Sequence, residues 1–172
     1  MLRVLICIFL TITAFVFEGT VFNFISFGSV VPNILLILTV SIGMLRGRKA
    51  GLLTGLFAGF LLDVFVGDVL GFHALVLMYL GYVNGCFNHL FYPEDVKLPL
   101  GSIVLSDLIY NFVMYVFLFL LRGKLNIGYY FMHIFVPECV YTAFITIFIY
   151  PFLLWIDKLL TKGEKARARK FV

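Results

Sequence analysis

The sequence predicts an all-α polytopic membrane protein with six transmembrane helices and both chain ends in the cytoplasm. Three observations predict this fold class. Of the 172 residues, 63% are hydrophobic and only 13% are charged, and the mean hydropathy is +1.10, whereas soluble domains carry about 25% charged residues. The cations gather in clusters beside apolar runs. Because one bilayer crossing takes roughly 20 helical residues, six crossings nearly exhaust the chain and leave no room for a soluble catalytic domain.

The chain is predicted to form a single integral membrane domain, 1–172, which ends in a basic cytoplasmic tail at 156–172. The first apolar run continues to Phe17 without a small-x-small cleavage site, so we interpret it as an uncleaved first helix. The second span is short, since ~15 residues rise only ~22 Å against a hydrocarbon core of ~30 Å. It either begins earlier, near Phe24, or its surroundings adapt to it, and a re-entrant segment is the alternative. The predicted spans cover about 2–22, 32–45, 50–66, 70–91, 99–121 and 128–155.

The positive charges predict the orientation. With the N-terminus inside, eleven of the thirteen Lys and Arg residues flank the inner side, and the outer loops hold only Arg122 and Lys124. Cytoplasmic loops carry this excess of cations. The other inner cations are Arg3, Lys97 and Lys158. The basic turn and the basic tail are expected to contact anionic lipid of the inner leaflet, through Arg46, Arg48, Lys49, Lys162, Lys165, Arg167, Arg169 and Lys170.

Several classes of function find no support in the sequence. Cys7, Cys86 and Cys139 lie far apart in apolar runs, and the three histidines show no ligand spacing, so no metal or cofactor is predicted. The basic clusters lack the interleaved aromatic residues that single-stranded nucleic acid requires. No nucleotide fingerprint or phosphate loop is present. We therefore predict neither an enzyme nor a nucleic-acid-binding protein.

A stripe of small residues marks the third helix. Gly51, Gly55, Gly59 and Asp63 follow one another at intervals of four residues, which advance only ~40° per step around a helix. Glycine lets a second backbone approach closely, and such stripes drive helix packing in lipid. Two roles are open, and they can coexist: packing within the bundle, or a docking groove for a partner helix that also includes Pro32 and Asn33.

Four carboxylates fall within the apolar spans, at Glu18, Asp63, Asp107 and Glu138, with Asn84 among the candidate hydrogen-bond partners. A charged carboxylate is costly in lipid, so each should face the protein interior or a wet cavity, or be protonated. Hydrogen bonding between helices, a polar cavity for a ligand or lipid headgroup, and proton or ion coupling all remain open.

An ordered set of motifs between residues 32 and 85 resembles the rod shape-determining MreD family. The set begins with Pro32-Asn33 before Ile34-Leu35-Leu36 and continues with the basic turn Leu45-Arg46-Gly47-Arg48-Lys49. It ends with the glycine stripe running into Phe60-Leu61-Leu62-Asp63-Val64, then Gly71-Phe72 and Gly81-Tyr82. The rest of the chain agrees with that family in length, hydropathy and its basic C-terminal tail.

The resemblance implies a non-enzymatic scaffold of the cell-elongation machinery that supports side-wall peptidoglycan synthesis and cell shape. The implied direct partner is MreC, and MreB filaments, the RodA glycosyltransferase and its partner transpeptidase belong to the same assembly. The implied fold is similar to the substrate-binding subunits of energy-coupling-factor vitamin transporters, with an outward pocket.

Two alternatives remain beside the scaffold. The first is a substrate-binding subunit of a vitamin transporter, although those subunits typically carry an Ala-xxx-Ala stripe that the first helix lacks, with Ala14 standing alone. The second is a handler of lipid or lipid-linked precursor that uses Glu18, Asp63 and Glu138 as a polar track.

Overall fold

The structure, a computed structural model, describes residues 2–25, 32–66, 70–90, 97–117 and 136–169. Within these ranges the chain is helical and contains no strand, which confirms the predicted all-α class. Parts of the predicted fifth and sixth spans, 118–121 and 128–135, lie outside the described residues, as do Arg122, Lys124 and Lys170. The helices are α1 (Leu2–Ile25), α2 (Ile34–Arg46), α3 (Arg48–Phe65), α4 (Phe72–Cys86, followed by a 3-10 turn, Phe87–Leu90), α5 (Lys97–Tyr115) and α6 (Val136–Arg169).

Helix α2 forms the centre of the described fold. Every residue from Ile34 to Met44 is buried, as expected for a helix that is apolar on all sides. The other helices surround α2 in the order α1, α3, α4, α5 and α6. At 13 residues, α2 rises only about 20 Å. Its short length is tolerated because protein surrounds its ends, and protein can satisfy backbone groups that lipid cannot.

The outer surface of the described helices is apolar. Large side chains such as Phe9, Phe60, Tyr79, Phe112 and Phe148 are more than half exposed on α1, α3, α4, α5 and α6 respectively. Many polar side chains, by contrast, are buried between helices, including Thr39, Asn84, Ser106, Asn111 and Thr142. This distribution is the reverse of that in a soluble protein.

Two described helices are long and apolar enough to cross a bilayer, Lys97–Tyr115 and Val136–Thr161, and shorter apolar helices cover Leu5–Thr20 and Ile34–Arg46. Helix α6 has 34 residues and spans about 51 Å, so it extends well beyond the ~30 Å of a hydrocarbon core. The tail cations Lys162, Lys165, Arg167 and Arg169 lie on this extension.

A glycine makes the sharp connection between α2 and α3. Gly47 has a φ of +88° and donates its N–H to the carbonyl of Gly43 at 2.8 Å. Residues with side chains rarely adopt this conformation. The turn places the cations Arg46, Arg48 and Lys49 together at one end of the fold.

Candidate functional site

The glycine stripe of α3 packs against α4. A Cβ atom added to Gly51 would overlap the backbone carbonyl of Gly81, and one added to Gly55 would overlap that of Leu77. At Gly59 the added atom would overlap the backbone of Ala74. The three glycines therefore lie in the α3–α4 interface, where their backbones meet without intervening side chains. Because α4 covers the stripe, these glycines present no free surface to a partner helix.

Helix α4 contributes a glycine pair to the same interface. A Cβ on Gly81 would overlap Gly51, and one on Gly85 would approach the backbone of Arg48 at 2.6 Å. Gly43 of α2 faces the carbonyl of Gly81 and the Cα of Gly51. Helices α2, α3 and α4 thus meet at a point where each contributes a glycine.

Asp63, at the end of the stripe, binds the start of α4. Its Oδ2 accepts the N–H groups of Gly71 at 3.0 Å and Ala74 at 2.9 Å. Its Oδ1 accepts the N–H of His73 at 2.9 Å and lies 2.8 Å from Nδ1 of the same residue. The first N–H groups of a helix have no partner within the helix. Asp63, whose side chain is fully buried, supplies partners for those of α4.

Glu18 and Asn33 bind the start of α2 in the same way. Oε2 of Glu18 accepts the N–H of Leu35 at 3.0 Å, and Oδ1 of Asn33 accepts the N–H of Leu36 at 3.0 Å. The backbone N–H of Asn33 reaches the hydroxyl of Thr142 on α6 at 3.4 Å. A carboxylate at a helix N-terminus also interacts favourably with the helix dipole. Glu18 and Asn33 therefore join α1, α2 and α6 at one end of the fold.

The remaining predicted polar residues lie between α4, α5 and α6. The amide of Asn84 donates to the hydroxyl of Ser106 at 2.8 Å and links α4 to α5. Asp107 is fully buried beside Cys139 and Thr142 of α6, although its oxygens make no hydrogen bond of standard geometry. Glu138, in the first turn of α6, lies beside Asn111. The structure thus places all four carboxylates at contacts between helices.

The basic residues lie at the opposite end of the fold. Nε of Arg46 forms an ion pair with Oδ1 of Asp157 at 2.8 Å, and its Nη1 donates to Sγ of Cys7 at 3.3 Å. Arg46 therefore connects α2 with α6 and α1. Arg48 and Lys49, in the first turn of α3, are exposed.

A family comparison identifies the chain. The sequence model described as "MreD: rod shape-determining protein MreD" matches residues 1–162. The chain belongs to the MreD family. Searches of curated proteins and of solved structures found no significant match.

Membership of the MreD family confirms the resemblance found in residues 32–85 and extends it to nearly the whole chain. It assigns the protein to rod-shape determination and to a family of membrane proteins. The family is a structural one rather than a known family of enzymes.

Several structural residues of this MreD-family protein were not found by sequence analysis. Gly43 and Gly85 complete the glycine contacts of α3, and the spacing Gly81-xxx-Gly85 was an available signal for the second of them. His73 joins the Asp63 cluster, and Asp157 pairs with Arg46. The side chain of Asn88 donates to the carbonyl of Met44, near the end of α2. No sequence pattern marks His73, Asp157 or Asn88, because each of their contacts joins separate segments of the chain.

The Arg46–Asp157 pair yields a testable coupling. Both side chains are largely buried, at 14% and 22% exposure, so we expect more than the ~0–1 kcal/mol of a surface pair. A double-mutant cycle with Arg46→Ala and Asp157→Ala, measured by thermal unfolding in detergent, should give a coupling of roughly 1–3 kcal/mol. Additive effects of the two substitutions would show that the pair does not join α2 to α6 energetically.

Proposed function

We propose that this protein is a non-enzymatic scaffold of the cell-elongation complex, embedded in the cytoplasmic membrane by six crossings with both ends inside. In this role it binds MreC directly and supports side-wall peptidoglycan synthesis. The match to the MreD family over residues 1–162 carries the proposal. The geometry of the described helices supports it in three ways.

The first support is the exterior. The outer faces of α1, α3, α4, α5 and α6 expose large apolar side chains, and buried polar groups join the helices inside. Lipid surrounds such a surface without cost, whereas water does not. The basic α2–α3 turn and the basic end of α6 lie on the side that the positive-inside rule assigns to the cytoplasm. These features support a multi-pass protein whose N- and C-termini are cytoplasmic.

The second support is the use of the carboxylates. Glu18 and Asp63 accept backbone N–H groups at the starts of α2 and α4. Carboxylates that hold helix ends in this way fix the packing of the bundle. This favours a rigid scaffold over a handler of lipid-linked precursor in which the same side chains line a path.

The third support concerns the partner surface. Since α4 covers Gly51, Gly55 and Gly59, the stripe contributes to docking by holding α3 and α4 together. We therefore place the contact with the MreC transmembrane helix on the apolar exterior rather than on the glycines. The cytoplasmic cations then face the anionic inner leaflet and the compartment in which MreB filaments assemble, close to RodA and its partner transpeptidase.

Site-directed photocrosslinking tests the proposal. A crosslinking amino acid is placed at Phe9, Phe60, Tyr79, Phe112 or Phe148, which are 54–70% exposed on five different helices. We expect adducts with MreC at positions on one helix or on two neighbouring helices. The matched control is Leu36 in α2, which is fully buried and should give no adduct.

The cellular test is depletion of the protein followed by imaging of cell shape. Rods should become round, and the wild-type protein should restore them. Depletion that leaves rods intact, together with an absence of MreC adducts at every exposed position, contradicts the scaffold. Submicromolar binding of a vitamin by the purified protein would instead support the transporter-subunit alternative.

A further inference from the structure

A groove opens on the outer surface of the bundle between α1 and α3. It has a volume of about 340 Å³, within the range of ordinary ligand pockets. Its walls are apolar and include Ile8 of α1 with Leu53 and Phe57 of α3. Leu53 is 61% exposed, so the groove faces the surroundings of the bundle rather than its core.

Positive charge is concentrated at one end of this groove. Arg46 and Lys49 line it, in the turn where α2 ends and α3 begins. Asp157 balances the charge of Arg46 through the ion pair at 2.8 Å, so Lys49 contributes the net charge at this end. The N-cap of α3 is Gly47, which offers no side-chain cap, and the first turn of α3 has no acidic residue. The negative end of α2 lies in the same turn as this helix N-terminus, so the attraction for an anion comes chiefly from Lys49.

The length of the groove matches one leaflet. From Lys49 to Phe57 the groove follows α3, and the helix rises about 12 Å between these two residues. Half of a ~30 Å hydrocarbon core is ~15 Å. The apolar walls thus run from the charged turn through most of the depth of a leaflet. A ligand that fits both parts has an anionic head and an apolar chain.

We propose that this groove binds one anionic phospholipid of the inner leaflet, with its phosphate beside Lys49 and the start of α3 and an acyl chain between α1 and α3. The proposal rests on the orientation given under the proposed function, because only that orientation places the turn at the inner leaflet. It adds a defined lipid site to the general attraction of basic residues for anionic lipid.

Lipid retention by the purified full-length protein tests the site. The protein is incubated in a neutral detergent with equal amounts of phosphatidylglycerol and phosphatidylcholine that carry the same acyl chains. Native mass spectrometry then counts the lipids retained on each chain. We expect one phosphatidylglycerol to be retained in preference to phosphatidylcholine. Equal retention of the two lipids overturns the proposal.

Two charge variants separate a site from a diffuse field. Lys49→Gln should lower phosphatidylglycerol retention about fivefold, the factor expected for one cation near a headgroup. Arg48→Gln is the matched control, because it removes the same charge from the same turn at an exposed residue that does not line the groove. It should change retention less than about twofold, as it affects only the general field. Equal losses in the two variants would mean that the attraction is diffuse and would overturn the proposal.

Two bulky variants test the acyl chain. Leu53→Trp fills the groove and should lower retention of both lipids. Leu105→Trp on α5 is the control, since Leu105 has nearly the same exposure, 60% against 61%, and lies outside the groove. Unchanged retention in Leu53→Trp overturns the placement of the chain. If a crosslinker at position 53 reacts with MreC and the lipid is displaced, the groove binds a protein helix. That result would also overturn the proposal.

Failure of the lipid site and failure of the scaffold give different results. If the protein binds MreC and maintains rod shape but shows no preference for phosphatidylglycerol, only the lipid site is wrong. If the protein retains phosphatidylglycerol selectively through Lys49 but neither binds MreC nor restores rods, the lipid site stands and the scaffold proposal is wrong.

Discussion

Replacing Gly55 with alanine is expected to destabilise the protein by roughly 3 kcal/mol or more. The added Cβ would overlap the backbone carbonyl of Leu77 on α4, and backbone atoms cannot move aside as a flexible side chain can. Helices α3 and α4 would have to separate, and in lipid no hydrophobic driving force compensates for the lost contact. The measurement is the midpoint of thermal unfolding in detergent, together with the yield of monodisperse protein.

The matched control for this substitution is Gly101→Ala on α5. Gly101 is also helical, but nothing lies within 4 Å of its Cβ position. Alanine there should be neutral or should stabilise by about 0.5–1 kcal/mol, since it lowers the entropy of the unfolded chain. The same chemical change is thus expected to have opposite signs at two helical positions. If Gly55→Ala unfolds at the wild-type temperature, the close contact between α3 and α4 is wrong.

Replacing Asp63 with alanine is expected to have an effect of similar size. The substitution leaves the N–H groups of Gly71, His73 and Ala74 without their acceptor. A buried polar group that loses its partner costs about 1–3 kcal/mol. Because these three hydrogen bonds are only partly buried, the total should be roughly 2–4 kcal/mol. Thermal unfolding in detergent measures the loss. Hydrogen exchange should also rise selectively at the start of α4.

Asp63→Asn serves as the graded comparison for this prediction. The amide keeps one acceptor oxygen but loses the second acceptor and the charge, so its destabilisation should be intermediate. Asp157→Ala, which breaks one ion pair rather than three hydrogen bonds, should cost less than Asp63→Ala. Unchanged exchange at the start of α4 in Asp63→Ala would show that the carboxylate does not cap that helix.

Hydropathy and the low content of charged residues were sufficient to predict a helical membrane protein. An apolar run predicts a helix from its own composition, because in lipid each helix must satisfy its backbone internally. The motif order from Pro32 to Tyr82 was sufficient for the family. The glycine stripe predicted a close helix contact on one face of α3. Each of these properties is local in sequence.

The partners of those features depended on the tertiary structure. The sequence left open whether the glycine stripe met a helix of the same chain or a partner, and the structure places α4 on it. The sequence placed Glu18 and Asp63 within apolar spans without indicating that they cap α2 and α4. It gave no sign that Arg46 pairs with Asp157, which is 111 residues away.

The physical reason lies in the surroundings of the helices. In a soluble protein the apolar face of a helix marks its buried side. Here both lipid and protein interior accept apolar side chains, so hydropathy predicts that a segment is a helix but not which side faces its neighbours. The sequence by itself determined the helical, lipid-compatible character of the chain and its family. Only the tertiary structure decided which glycines, carboxylates and cations meet, because those contacts depend on the fit between surfaces distant in sequence.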